Sequence, residues 1–195
     1  MSEWNTIHPS SNIVNCIIGE NVHIWPFCSI SDSTLANNVK IEGNARIEKS
    51  DLSEGVEILW GGIIRESTLD TGCIIGGEVK KCTLGKNNKA KHPGTSIISS
   101  TTGEKVNFGG GFKCANYDGT GKGHFIIGNN VFFWCNTVIS VRANQTTTIN
   151  GGVKIGANIH VSTDIPADSL VYIDRETGKT TVREGYYASQ WKLNN

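Results

Sequence analysis

Aliphatic residues return every seventeen positions in three parallel series, and this constrains the chain more than any other feature. Ile7, Ile24, Ile41, Ile58 and Ile75 form the first series, Ile13, Ile30, Ile47 and Ile64 the second, and Ile18, Leu35, Leu52 and Leu69 the third. Read along the chain, the steps are six, six and five residues. A helix buries a face with aliphatics three or four apart and a half-buried strand with a period of two, so neither accommodates a six-residue step. A triangular coil does, because each side is a short strand with one inward aliphatic and like residues stack from coil to coil. An interior Ile or Leu gains roughly 1.5–3 kcal/mol from burial, but only once the next coil covers it, so the array is cooperative along its axis.

Turn chemistry fills the gaps between aliphatics. GENV (19–22), ANNV (36–39), EGNA (42–45) and SEGV (53–56) supply the Gly and Asn that tolerate positive φ. With 23 glycines in 195 residues and only 18% charged residues, composition also favours tight turns over amphipathic helices. The series fades after Ile75, continues through Leu84 and Ala90, and breaks at 92–105 and 113–125, two segments expected to leave the solenoid as loops. It resumes with Ile127, Phe133 and Ile139, then with Ile149, Ile155 and Val161. The expected fold class is therefore all-β: a parallel β-helix over residues 1–166 with ejected loops, then a short C-terminal cap and tail over 167–195. A cap is expected because an open coil end exposes core and strand edges.

Charge and cysteine usage narrow the function classes. Eighteen basic residues balance eighteen acidic ones, which leaves no global field to draw in nucleic acid or an anionic membrane. No apolar run reaches the about 18 residues of a membrane helix, and MSEWNTIHPSS lacks the basic end and apolar stretch of a signal peptide, so a cytoplasmic location is expected. Cys16, Cys28, Cys73, Cys82, Cys114 and Cys135 include no C-x-x-C pair and are expected to be reduced, partly buried thiols. The five histidines offer no pair at close ligand spacing around a third, so the three-imidazole zinc site of a carbonic anhydrase on such a solenoid is not expected, nor any other metal.

Four segments carry a family resemblance: GEVKKCTLGKNNKAKH (77–92), VNFGGGFKCANYDG (106–119), GKGHFIIGNNVF (121–132) and VSTDIP (161–166). They resemble the acetyltransferase half of the bifunctional bacterial enzymes that acetylate glucosamine 1-phosphate and then uridylate it. The likeness is dense from 77 to 166 and lies only in the repeat before that. This family folds as a left-handed parallel β-helix of hexapeptide repeats and forms homotrimers with acetyl-CoA bound between subunits. The resemblance therefore implies that handedness, a homotrimer and acetyl-CoA as co-substrate. The repeat begins at Ile7 with no Gly-rich nucleotide loop before it, so uridylyl transfer is not expected.

The resemblance also assigns residues. His92 matches the catalytic base. Acetyl transfer to an amine requires a proton to leave as the nitrogen attacks the thioester, and an imidazole with a reference pKa of about 6.5 suits that role. Glu78 and Lys80 match positions that hold the acceptor's amino group and phosphate, and Asn107 matches a further acceptor contact. Asn116, grouped with the catalytic residues, and Tyr117 match an acceptor-side pair, and Lys122 a lysine near acceptor and cofactor. Gly109, Gly110 and Gly111 would let the pantetheine arm approach the backbone and offer N–H groups to the thioester oxygen. Cys135 stands where the family has a Ser that stabilises the tetrahedral oxyanion, although a thiol is a weaker donor. Arg175 matches, across a gap, an Arg that pairs with a CoA phosphate.

Read without the resemblance, His92 is a loop histidine, Glu78 and Lys80 a solvated charge cluster, N-Y-D-G a turn and Cys135 a buried thiol beside Trp134. Two positions depart from the family pattern. A Tyr expected three residues after His92 is Thr95, in a loop one residue longer, and a phosphate-binding Arg expected eighteen residues before Lys80 is Gly62, with Arg65 nearby. The expected function is an acetyl-CoA-dependent N-acetyltransferase acting on an amino sugar or amino-sugar phosphate. A sugar O-acetyltransferase and a non-catalytic β-helix scaffold are the alternatives.

Overall fold

A computed structural model describes residues 4–186 of the chain. Among the described residues every regular element is a strand of two to four residues. Successive strands fall in rotation onto three faces, forming sheets of eleven, nine and eight strands that wind as a left-handed parallel β-helix. The three aliphatic series are its inward ladders. Ile7, Ile24, Ile41, Ile58, Ile75 and Ala90 stack up the first face. Ile13, Ile30, Ile47, Ile64, Val79 and Ile97 stack up the second. Ile18, Leu35, Leu52, Leu69 and Leu84 stack up the third. Ile24 and Ile41 are at most 2% exposed, whereas Ile7, with no complete coil beneath it among the described residues, is 41% exposed, as expected if burial requires a neighbour on each side.

Polar groups complete the coils. At the corner between the second and third faces, Ser33, Ser50 and Ser67 turn inward, and each hydroxyl accepts the backbone amide one coil above: Ser50 (3.1 Å), Ser67 (3.2 Å) and Cys82 (3.1 Å). A buried amide left without an acceptor costs about 1–3 kcal/mol, so this ladder removes a penalty that repeats at every coil. The expected turn positions Asn21, Asn38, Asn44 and Gly55 all have φ between +54° and +66°. Asn21 also donates its side-chain amide to Asn38 one coil above, at 2.7 Å.

Residues 92–105 do not leave the solenoid. Ser96–Ile98 joins the second face and Ser100–Thr102 the third, with Ile97 and Thr102 buried. In the second expected loop, Lys113–Ala115 and His124–Ile127 are strands, with Cys114 and Phe125 buried, and only residues 116–123 are ejected. The cause is a change in coil length. Ile47 pairs with Ile64 seventeen residues on, but Ile64 pairs with Val79 after fifteen and Val79 with Ile97 after eighteen, so a fixed count loses a ladder that continues in space.

Phenylalanine fills the core above this point. Phe108, Phe112 and Phe133 meet with ring centroids 4.6–5.4 Å apart. Past Pro166 the first face gains one more parallel strand, Leu170–Ile173, with Val171 over Ile155, and the chain turns back as antiparallel Thr180–Arg183. The cap is thus a hairpin that extends the first face. Residues 187–195 of the expected tail lie outside the described residues.

Candidate active site

The corner between the first and second faces gathers several of the expected residues. His92 leaves the first face after Lys89–Ala90, Gly109 to Gly111 turn the same corner one coil above, and Cys135 turns it one coil higher. A Cβ added to Gly110 would lie 3.6 Å from both Cβ and Cγ of His92, so the histidine rests against bare backbone. A Cβ on Gly109 would approach the Trp134 carbonyl carbon to 2.6 Å, so this position admits only glycine without a shift of the coil above.

Several corner amides donate to the carbonyl one coil down, whereas those of Gly94 and Gly111 have no such acceptor among the described residues. Gly61 donates to the Gly43 carbonyl (3.0 Å), Asn136 to Gly110 (2.8 Å) and Asn158 to Cys135 (3.0 Å), in each case one coil down. Beneath Gly111 the turn of residues 91–95 is one residue longer than the four-residue turn of residues 59–62 at this corner. An uncommitted N–H donor therefore sits one coil above His92.

The second face presents the charged residues. Glu78 accepts a hydrogen bond from Ser96 Oγ (3.4 Å) and stands 3.9 Å from the Arg65 guanidinium. Arg65 pairs in register with Lys80, directly above it. This corrects the expectation at Gly62, which points inward: a Cβ there would come within 2.7 Å of Ile58 Cγ2. Because the intervening coil has fifteen residues, the residue directly below Lys80 is Arg65, which a count of eighteen positions along the chain passes over. Thr95 also points inward, 1% exposed, with Oγ1 donating to the Gly109 carbonyl at 3.3 Å.

Asn116, Tyr117 and Lys122 belong to the ejected loop, at the opposite edge of the second face. Asn116 is 9% exposed and donates Nδ2 to Ser99 Oγ (2.9 Å), while the Tyr117 hydroxyl donates to the Gly119 carbonyl (2.9 Å) and Tyr117 bridges to Lys122. Asp118 ties this loop down. Its carboxylate accepts the Ala143 amide (2.8 Å) and the Thr120 hydroxyl and amide, and these bonds hold it well below the usual carboxylate range. Strands of three residues, about 10 Å, separate the loop from His92 within one chain. The structure does not bring these two groups together.

The remaining expected residues lie along the first face and its corner. Asn107 points outward two residues before Gly109, and Arg175 sits in the terminal hairpin turn, four strands above His92 or about 19 Å along the axis. Cys135 is exposed, so it is not a buried thiol beside Trp134, whose ring instead packs edge-on against Phe132 at 4.8 Å. Burial pushes the Cys73 and Cys114 thiols up to about 11 and Cys82 to about 12, which keeps them protonated near neutral pH. Among the described residues no three His, Cys, Asp or Glu side chains gather as a metal site. Reasoning from sequence missed the register of Arg65 and the free Gly111 amide. Counting each coil from its own inward residues, not at a fixed period, would have found the first.

Comparison with known proteins adds kinship. A family pattern described as bacterial transferase hexapeptide (six repeats) matches residues 15–49. The bifunctional protein GlmU of Clostridium kluyveri is 38% identical over 144 residues, 71% of this chain and 31% of that protein. Its counterpart from Fervidobacterium nodosum is 36% identical over 156 residues, 78% of this chain and 33% of that protein. The chain thus spans about a third of the length of these curated relatives. A UDP-N-acetylglucosamine acyltransferase from Arabidopsis superposes with a TM-score of 0.54 at 20% identity, covering 91% of this chain and 73% of that one. That of Francisella novicida gives 0.50 at 15% identity, covering 92% and 68%. At such identities the likeness is one of fold.

Proposed function

The chain is a hexapeptide-repeat protein of the left-handed β-helix acyltransferase type, and from that premise we propose that it moves the acetyl group of acetyl-CoA onto the nitrogen of an amino-sugar phosphate. One observation carries the reading: His92, Gly110 and Cys135 stack on three successive coils at one corner, beside the uncommitted Gly111 amide and next to a face that presents Glu78, Arg65 and Lys80. The acceptor amine attacks the thioester carbonyl carbon, the C–S bond breaks and CoA leaves as its thiol. His92 takes the proton that the nitrogen sheds and returns one to the departing sulfur. The Gly111 N–H, with Cys135 as a weaker second donor, faces the oxygen on which negative charge develops. Glu78 holds the amino group, and Arg65 and Lys80 hold the phosphate through charge-assisted bonds.

The same corner climbs from His92 past Gly109, Gly110 and Gly111 to Arg175, a line along which a pantetheine arm would lie with its phosphate near the guanidinium. Asn116, Tyr117 and Lys122, at the far edge of the second face, act on the corner of a neighbouring copy in this reading, with Asn107 lining the near side. A cytoplasmic homotrimer, closed by cyclic symmetry, is the assembly that supplies such a neighbour. The test is thiol release from acetyl-CoA across a panel of amino sugars and their phosphates, with sedimentation at micromolar concentration. Release with glucosamine 1-phosphate and a mass three times that of the chain are expected. A monomer that turns over would remove the shared site, and no release with any acceptor would remove the activity.

A further inference from the structure

We infer that Trp60 is the platform on which the acceptor's pyranose ring stacks, in a recess created by a shortened corner. The inference rests on the acetyltransferase reading above and adds a specificity-determining residue that the family resemblance does not supply. Between Ile75 and Glu78 the corner of the first and second faces holds only Gly76 and Gly77. Four residues, from Leu59 to Gly62, turn this corner one coil below, and five, from Lys91 to Thr95, turn it one coil above. A Cβ on Gly76 or Gly77 would collide with the Lys91 or Thr95 carbonyl, so backbone closes directly over the two glycines. The missing residues leave a recess of about 320 Å³, walled by Trp60 below and Pro93 above, with Glu78 and Lys113 beside it.

Trp60 is 62% exposed but held in place. A Cβ on Gly43 would come within 2.5 Å of the indole, so the ring lies against glycine backbone one coil down, and the Trp60 amide donates to Glu42 Oε2 at 2.8 Å. The charges around the recess run in order. Lys113 spends Nζ on the Gly94 carbonyl (2.6 Å), the Glu78 carboxylate stands 3.9 Å from the Arg65 guanidinium, and Lys80 lies in register above Arg65, its backbone two residues further across the second face than that of Glu78. An aromatic plane, then a carboxylate, then two cations complements one small molecule: a hexosamine phosphate with an apolar ring face, an ammonium and a phosphate. With Thr95 turned inward, Trp60 supplies the aromatic surface from a different coil.

The test uses Trp60→Ala, Trp60→Phe and Gly43→Ala in the full chain, with steady-state kinetics, sedimentation, and ligand-observed NMR of glucosamine 1-phosphate binding without acetyl-CoA. Trp60→Ala is expected to raise the acceptor KM on the order of tenfold, leave the acetyl-CoA KM and the assembly unchanged, and weaken direct binding by a similar factor. Trp60→Phe should recover most of the loss. Gly43→Ala, which lies outside the recess, should raise the acceptor KM by displacing the ring. Unchanged acceptor binding in Trp60→Ala overturns the inference, as does dissociation of the assembly with both KM values rising together. Because NMR reads binding without turnover, a wild-type chain that binds the sugar through Trp60 but releases no thiol would sink the acetyltransferase reading and leave this inference standing.

Discussion

The coils below Ile75 and those above it share three faces and one set of ladders, yet they are built to different rules. The lower coils repeat at seventeen residues, with an aliphatic core and a serine ladder that satisfies each buried amide. The upper coils run to fifteen and eighteen residues before any loop is ejected, and they pack Phe108, Phe112 and Phe133 where the lower coils use Ile and Leu. Regularity stabilises, because every backbone group finds the same partner one coil away. The candidate site sits where regularity fails, since a turn that is too long frees the Gly111 amide and one that is too short opens the recess beside Trp60.

If the division is real, variants in the two regions should fail in different ways. The largest expected effect is on rate: His92→Asn should lower kcat about 10²–10⁴-fold with little change in Tm, because the side chain is exposed and lies outside the core ladders. A Tm that fell with the rate would place His92 in the scaffold. Next is Phe133→Ala, expected to cost about 3–5 kcal/mol in denaturant unfolding, against about 2–5 kcal/mol for Leu52→Ala in the lower coils. A smaller loss at Phe133 would mean that the aromatic coils are loosely packed.

Arg65→Ala should weaken glucosamine 1-phosphate by about 1.5–3 kcal/mol in kcat/KM and leave unphosphorylated glucosamine unaffected. Equal losses with both acceptors would deny the guanidinium a phosphate role. Ser50→Ala, which leaves the Ser67 amide without an acceptor, should cost about 1–3 kcal/mol of stability and no activity. The smallest effect is one of acidity. Asp118 has a depressed folded-state pKa, so the order it gives the ejected loop is complete above the unfolded carboxylate value of about 3.9, erodes progressively below it and is lost as pH falls through the much lower folded-state value. Protection of the Ala143 amide, relative to its intrinsic exchange rate, should therefore decline progressively below about pH 4 and, in Asp118→Asn, be reduced already at neutral pH. Exchange that ignored both would show that Asp118 does not hold the loop.

The lower region was legible in sequence almost residue by residue, because one constant spacing carries all three ladders from Ile7 to Ile75. The upper region was legible in its parts but not in its register. Ile97 belongs to the second ladder, yet it lies eighteen residues from Val79, and the segment around it reads as a loop to any fixed count. Arg65 was hidden for the same reason, because its neighbour in space is set by the length of the coil and not by separation along the chain. Ser33, Ser50 and Ser67 read as turn residues until the corner faces inward. His92 and the Gly109 to Gly111 run were legible through their motifs, whereas the groups left free by an altered turn are properties of the backbone, which no motif spells out.

The constant spacing of the lower coils also has a cost in uniqueness. Every coil from Ile24 to Ile58 offers nearly the same inward residues and the same serine acceptor to the strand above it. A folding chain that skips a coil and pairs Ile24 with Ile58 would thus meet a surface almost indistinguishable from the native one. Such a slip is nearly degenerate in local contacts and opposed mainly by the looped-out coil. The fifteen-residue and eighteen-residue coils break that degeneracy, because neither can be exchanged for a neighbour without misplacing a ladder. The irregular coils that carry the candidate site also act as the index mark from which the whole helix is counted.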